Sequence, residues 1–187
     1  MKKLDLNMRE LYQVWPSSLN DDQIQNIIDA SLVEPEIDAK TFSSKDVLSD
    51  VRVSSIRWIS SPEIKDLLWS YVRRANYDAF NIDVDNNCEM QYTEYHSTAG
   101  GHYDWHQDVH WYGQADSDRK LSVTVQLSDA DNYLGGNFEF DELKTNADFR
   151  SKGTVLVFPS YIRHRVLPVS KGVRQSLVAW FKGPRWK

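Results

Sequence analysis

A chain of 187 residues with a formal net charge of -5 and a pI near 5.5 presents no basic field for nucleic acid or an anionic membrane, and its length fits one domain with a core that needs no staples. Cys88 is the only cysteine, which excludes an intrachain disulfide and a zinc–thiolate cluster and fits a reducing compartment, with the cytoplasm as the expected location. The opening MKKLDLNMRE has a basic pair but no apolar run behind it, so neither a signal peptide nor a membrane span is expected.

In chain order, residues 4–15 read as a short extended segment that Leu11, Val14 and Trp15 can anchor. Ser18 or Asn20 can cap a helix over DDQIQNIIDASL, where Ile24, Ile27, Ile28 and Leu32 form one apolar stripe and Asp21 and Asp22 sit at the positive end of the dipole. Residues 33–50 look like a loop of the kind that can lie over a pocket entrance. Val51, Val53, Ile56, Trp58 and Ile59 suggest an imperfectly alternating strand. Ser61-Pro62-Glu63 then starts a second helix, with Ile64, Leu67, Leu68, Tyr71, Val72 and Ala75 on one face and an end near Asn76. No other convincing helix follows.

Instead come short β-like runs: Cys88 to His96, His102 to Trp111, Lys120 to Ser128, Asn137 to Glu142, Thr154 to Phe158, His164 to Val169 and Val173 to Lys182. Turn residues such as Gly100-Gly101, Gly135-Gly136 and Lys171-Gly172 separate them. With one or two N-terminal strands they make about the eight of a double-stranded β-helix, or jelly roll. The expected fold class is mainly β with supporting helices (α+β), the two helices packed on one sheet. One domain spans residues 1–187, with helical support over about 1–87 and a jelly-roll core over about 88–182.

The chemistry gathers in residues 92–111, YTEYHSTAGGHYDWHQDVHW, where His102, Asp104, His106, Asp108 and His110 occupy alternate positions. If this is one strand, all five side chains share a face. Two histidines and a carboxylate around one ion, with positions left open, is the ligand set of non-haem Fe(II) oxygenases. His164, the only histidine after His110, is the candidate for the remote ligand. Ten residues on, Arg174 opens the RQS triplet of the last long strand, and its planar fork suits a carboxylate of a dicarboxylic acid. The spacing leaves both His102/Asp104 and His106/Asp108 open as the local pair.

YDWHQD resembles the aromatic-x-x-His-x-Asp element of the 2-oxoglutarate- and Fe(II)-dependent dioxygenases, specifically their prolyl 4-hydroxylase-like branch, with Tyr95 and Gly100-Gly101 before it. RKLSVTVQLSD and LGGNFEF are similar to that branch's next strand, turn and paired-glycine strand. GTVLVFPSYIRHRVLPVSKGVRQSLVAWF is similar to its closing segment, with the distal histidine, the Pro-Val pair and the glycine before the basic residue in order. The resemblance covers roughly residues 88–182; each piece alone is weak, and the ordered set is specific.

The family places an aromatic three residues before its metal histidine, as Tyr103 stands before His106. The resemblance therefore implies His106, Asp108 and His164 as metal ligands and catalytic centre, leaving His102, Asp104 and His110 as supporting or substrate-facing groups. It implies Fe(II), 2-oxoglutarate and O2 as cofactors, with ascorbate as reductant. Arg174 would grip the distal carboxylate with help from Ser176, and Tyr95 or Tyr103 would bond the cosubstrate or the groups on the iron. Some relatives carry a tyrosine on the strand that here reads TVQLS; this chain has Gln126 there, and it has Arg174 where many collagen-type members have lysine. The implied reaction hydroxylates a C–H bond while 2-oxoglutarate becomes succinate and CO2. The expected substrate is a prolyl residue in a peptide or protein. The alternatives are a free amino acid or other metabolite, or a metal-binding jelly roll that senses or scaffolds without turnover. Trp105, Trp111, Tyr112, Arg119, Arg57 and Trp58 are candidates for a peptide groove, and GQADSDR for a mobile lid. A monomer is expected.

Overall fold

The computed structural model describes residues 10–39, 51–113, 115–145, 147 and 149–187. Helix α1 (Asp21–Leu32) begins under a reciprocal capping box: Gln23 N donates to Asn20 Oδ1 at 2.9 Å, and Asn20 N donates to Gln23 Oε1 at 3.0 Å. Asn20, not Ser18, is the cap. Helix α2 (Pro62–Ala75) starts at Ser61, whose hydroxyl accepts from Ile64 N, and runs on into one π-helical turn over Asn76–Phe80. That turn goes beyond the expected helix end. Asn76 fixes it by donating to Ile82 O at 2.8 Å and accepting from Ile82 N at 2.7 Å.

The strands are β1 (Gln13–Trp15), β2 (Ile37–Asp38), β3 (Arg52–Val53), β4 (Ser55–Ile59), β5 (Cys88–His96), β6 (His102–His106), β7 (Ser117–Gln126), β8 (Tyr133–Gly135), β9 (Phe138–Phe140), β10 (Val155–Pro159), β11 (His164–Val166) and β12 (Val169–Pro184). The larger sheet has the order β1-β10-β7-β12-β5-β4-β2, with β8 added to β12; the smaller has β3-β6-β11-β9. Neighbours pair antiparallel, giving the two layers of a jelly roll as the sequence led us to expect.

Alternation gives the central strands two different faces. Met90 and Tyr92 of β5, Leu121, Val123 and Val125 of β7, and Leu177, Ala179 and Phe181 of β12 turn to one side. There they pack with Ile24 and Ile27 of α1 and Ile64, Leu68 and Val72 of α2. Each buried Val, Leu, Ile, Met or Phe side chain among them contributes roughly 1.5–3 kcal/mol of transfer free energy. The intervening residues, among them Gln91, Tyr95, Thr124, Arg174 and Ser176, turn to the other side and line a cavity facing the smaller sheet.

Several boundaries differ from expectation. The run expected from His102 to Trp111 ends as a strand at His106, and residues 164–169 divide between β11 and the start of β12. The loop expected over 33–50 contains β2, which pairs with β4, while residues 40–50 lie outside the described residues. Of the expected lid GQADSDR, Gln114 lies outside them too, and Ser117–Arg119 form part of β7.

The largest correction concerns the face shared by five residues. Tyr103 pairs with Val166 and His106 with His164, so three steps along β6 answer two along β11. This is a β-bulge at Asp104–Trp105, and it breaks the alternation. Tyr103 and His106 therefore share a face, Asp104 is exposed, and Asp108 and His110 lie beyond the strand. Among the described residues no helix is long and apolar enough to cross a membrane.

Candidate metal centre and cosubstrate pocket

Three side chains converge at one end of the cavity: His106 at the end of β6, Asp108 two residues on, and His164 at the start of β11. Each offers one ligand atom, and all three atoms lie within 4.8 Å of one another. His106 Nε2 is 3.8 Å from Asp108 Oδ1, and His164 Nε2 is 3.7 Å from Asp108 Oδ2. The other ring nitrogens are taken: His106 Nδ1 meets Asp104 O at 2.7 Å, and His164 Nδ1 meets Ile162 O at 3.0 Å. A carbonyl only accepts, so each Nδ1 carries a proton, and each Nε2 is the ring atom that faces Asp108. Asp108 Oδ2 accepts from Ser122 Oγ of β7 at 2.6 Å, and Asp108 N donates to Ser160 O at 2.9 Å, which fixes the carboxylate.

Burial, reinforced by His164, pushes the His106 imidazole down to about 3, so the ring is neutral at ordinary pH. Burial works against charge on Asp108 as well, but the neighbouring imidazoles and the Ser122 hydroxyl outweigh it and hold the carboxyl below its usual range. Two imidazoles and one carboxylate form a donor set suited to a divalent transition ion, and they fit Fe(II).

Arg174 of β12 lines the same cavity and is only 3% exposed. It donates to Ser176 Oγ at 3.3 Å and stands 5.6 Å from the Tyr95 ring centroid. Among the described residues no carboxylate lies within ion-pair distance of it. A buried guanidinium without a counter-ion is costly, so this arrangement fits a bound anion. Gly136, at φ +62°, makes the space: a Cβ there would stand 3.0 Å from Arg174 Cδ. Tyr95 and Tyr103 also line the cavity, and burial pushes the Tyr103 phenol up to about 12, keeping it a neutral donor.

A sequence model of the 2OG-Fe(II) oxygenase superfamily matches residues 90–182, the stretch that contains His106, Asp108, His164 and Arg174. The core of this chain belongs to the 2OG-Fe(II) oxygenase superfamily. A PKHD-type hydroxylase from Synechococcus is 36% identical over 83 residues, 44% of this chain but only 37% of that protein. A prolyl-4-hydroxylase from Pseudomonas putida superposes with a TM-score of 0.70 at 20% identity, over 97% of this chain and 96% of the other. A viral collagen prolyl hydroxylase from Paramecium bursaria Chlorella virus-1, in its 2OG complex, gives 0.69 at 20% identity, over 93% and 97%. At such identities the likeness is one of fold, and the fold is the prolyl-hydroxylase jelly roll.

Within this oxygenase fold the other residues singled out from sequence scatter. Gln126 is buried but absent from the cavity wall, its amide donating to Ser128 O at 3.3 Å. The bulge turns Trp105 away from the ion ligands, beside Arg165 at 4.4 Å, where it lines a neighbouring groove that shares Phe138 with the cavity. Arg119 pairs with Glu89 at 2.8 Å and lies 3.8 Å over Trp180, a cavity-wall residue. Trp58 packs on that same Trp180, with centroids 5.9 Å apart, but does not itself line the cavity. Arg57 is tied down by Glu34 O and by Glu36 at 2.5 Å, away from the cavity. Trp111 is half exposed and donates to Gln107 Oε1, and Tyr112 is fully exposed; neither lines the cavity. His102 Nδ1 meets Gly100 O at 2.8 Å, and His110 is exposed and lines a separate groove that shares Asp108 with the cavity.

Residues passed over in the sequence also form the wall: Arg52, Gln91, Thr124, Phe138, Phe158 and Trp180. A signal existed for Thr124. In LSVTVQ the residues Ser122, Thr124 and Gln126 mark the polar side of a strand whose other side is wholly apolar. Arg52 carried no such signal, because its place depends on pairing with Tyr103 across the sheet.

Proposed function

We propose that this chain is a 2-oxoglutarate-dependent dioxygenase that hydroxylates a C–H bond, its substrate a prolyl residue in a peptide or protein. The observation that carries the reading is one cavity holding both a His106–Asp108–His164 triad, with ligand atoms within 4.8 Å, and a buried arginine that has no carboxylate partner among the described residues. His106, Asp108 and His164 would hold Fe(II), and Arg174 with Ser176 would hold the distal carboxylate of 2-oxoglutarate. When bound, these cofactors and O2 supply the oxidation itself, and the cosubstrate leaves as succinate and CO2.

The protein's part is placement. Ser122 orients the Asp108 carboxylate, while the backbone carbonyls of Asp104 and Ile162 hold the two imidazoles in the tautomer that leaves Nε2 free. Phe138, Phe158, Val166 and Val178 give the cavity apolar walls that exclude water. Tyr103, held neutral, can donate to an anionic group in the cavity. The prolyl substrate is supported by the names of the fold neighbours and of the PKHD-type relative. Ascorbate as reductant and a cytoplasmic setting belong to the same proposal.

The test offers the protein Fe(II), 2-oxoglutarate and O2 with a proline-rich peptide or with free proline. Succinate is followed, together with the gain of one oxygen atom by mass spectrometry. Oxygen gain on the peptide supports the proposal; gain on free proline only would make the enzyme a metabolite hydroxylase. An absence of succinate together with an absence of 2-oxoglutarate binding would reduce the fold to a metal-binding scaffold.

A further inference from the structure

Arg52 of β3 stands in the cavity wall with the ion ligands, and no role has been given to it. Its Nε donates to Ser54 Oγ at 2.9 Å and its Nη2 to Gln91 Oε1 at 2.8 Å. Both acceptors are neutral, so they aim the guanidinium without cancelling its charge. The guanidinium carbon lies 4.6 Å from the Tyr103 ring centroid, and that ring is stacked on His106. No carboxylate among the described residues comes within ion-pair distance of Arg52. Arg119, which lies over the cavity-wall residue Trp180, already spends Nε and Nη2 on Glu89.

A charge account of the loaded site then leaves one cation over, an account that rests on the dioxygenase reading. Fe(II) with Asp108 keeps one positive charge, Arg174 adds a second, and dianionic 2-oxoglutarate cancels both. What remains is Arg52, with Nη1 unengaged by any described residue. The same wall holds a second donor in want of an acceptor, the buried Nε1 of Trp180.

We propose that Arg52 selects substrates carrying a carboxylate close to the carbon that is oxidised. The carboxylate has two sources: the side chain of an acidic residue flanking the target in a peptide, or the α-carboxylate of a free amino acid. An Nη1 donor on an already oriented fork, in a partly enclosed site, suits such a group.

The experiment uses the full chain loaded with Mn(II) and N-oxalylglycine, an unreactive analogue of 2-oxoglutarate, so that binding is read without turnover. The probes are acid and amide twins: free proline and prolinamide, and proline peptides with Glu or Gln on either side. Retention in equilibrium dialysis is measured by mass spectrometry for wild type, Arg52→Gln and Arg52→Lys. We expect an acid twin to be retained at least about tenfold over its amide, a difference lost in Arg52→Gln and partly kept in Arg52→Lys. Which acid is retained tells the two sources apart. Equal retention of the twins, retention of amides only, no retention of any probe, or a preference that survives Arg52→Gln would each overturn the proposal. Both variants should still take up Mn(II) and N-oxalylglycine as wild type does. Failure of the wild type to bind N-oxalylglycine would instead overturn the dioxygenase reading, and the charge account with it.

Discussion

Tyr103 lies flat against His106, ring centroids 3.4 Å apart and planes 10° from parallel, although an odd number of steps separates them on one strand. Only the bulge at Asp104–Trp105 makes this contact possible. Truncation in Tyr103→Ala should free the imidazole to tilt and lower metal affinity by about 10–100-fold, whereas Tyr103→Phe should bind nearly as wild type. Calorimetric titration with Mn(II) measures both.

Replacing His106, Asp108 or His164 by Ala should abolish stoichiometric metal binding and turnover, while His102→Ala keeps most of both. His102 already meets Gly100 O, and the triad has its three ligand atoms without it. Metal analysis of the purified variants decides it. Loss in His102→Ala with binding kept in His106→Ala would move the local ligand pair to His102 and Asp104.

Arg174→Ala should leave metal binding intact but weaken 2-oxoglutarate by roughly 3 kcal/mol, on the order of a hundredfold. Titrating the Mn(II)-loaded variant with 2-oxoglutarate gives the number directly. Unchanged affinity would remove Arg174 from the proposed pocket.

Gly136→Ala should act on the same pocket from a distance. Its φ of +62° disfavours a side chain, and the new Cβ would meet Val169 Cγ2 at 2.9 Å and Arg174 Cδ at 3.0 Å. Stability should fall by about 1–3 kcal/mol and 2-oxoglutarate affinity should fall with it. Thermal melts with and without the cosubstrate separate the two losses.

The metal-free protein should lose stability in acid. An unfolded His106 titrates near 6.5 and the folded one near 3, so between those values the unfolded chain binds a proton that the native state refuses. Stability is therefore complete above about pH 6.5 and declines as the pH falls toward 3. Asp108, whose carboxyl is also held below its ordinary value, carries the decline further down. Denaturant midpoints from about pH 7 to about pH 4 should fall steadily in the metal-free wild type and less steeply in His106→Asn.

Where the sequence was legible, two periods said the same thing. DDQIQNIIDASL combines a helical stripe with a cap, and the helix has those bounds; Cys88, Met90 and Tyr92 alternate with polar residues, and the strand runs over the expected Cys88–His96. The order of the candidate ligands along the chain was also legible, because His164 stood alone. A bulge leaves no mark of its own in the sequence, so five alternating residues looked like one face when Asp104 and His110 in fact point to water. Cavity residues owed to cross-strand pairing were invisible for the same reason. Arg57 was the candidate and Arg52 was passed over, yet Glu36 takes the first while the second pairs across from Tyr103. Exposed aromatics misled as well, since nothing in the letters of Trp111 or Tyr112 tells a pocket wall from a surface ring.

The hydrogen bond from Ser122 to Asp108 crosses from the larger sheet to a ligand on the segment that follows β6 of the smaller one. An ion gripped by His106, Asp108 and His164 would thus rivet the two layers together, and its coordination would register any slip between them. Substitutions deep beneath the helices, far from the chemistry, should therefore change metal affinity by altering how the layers stack.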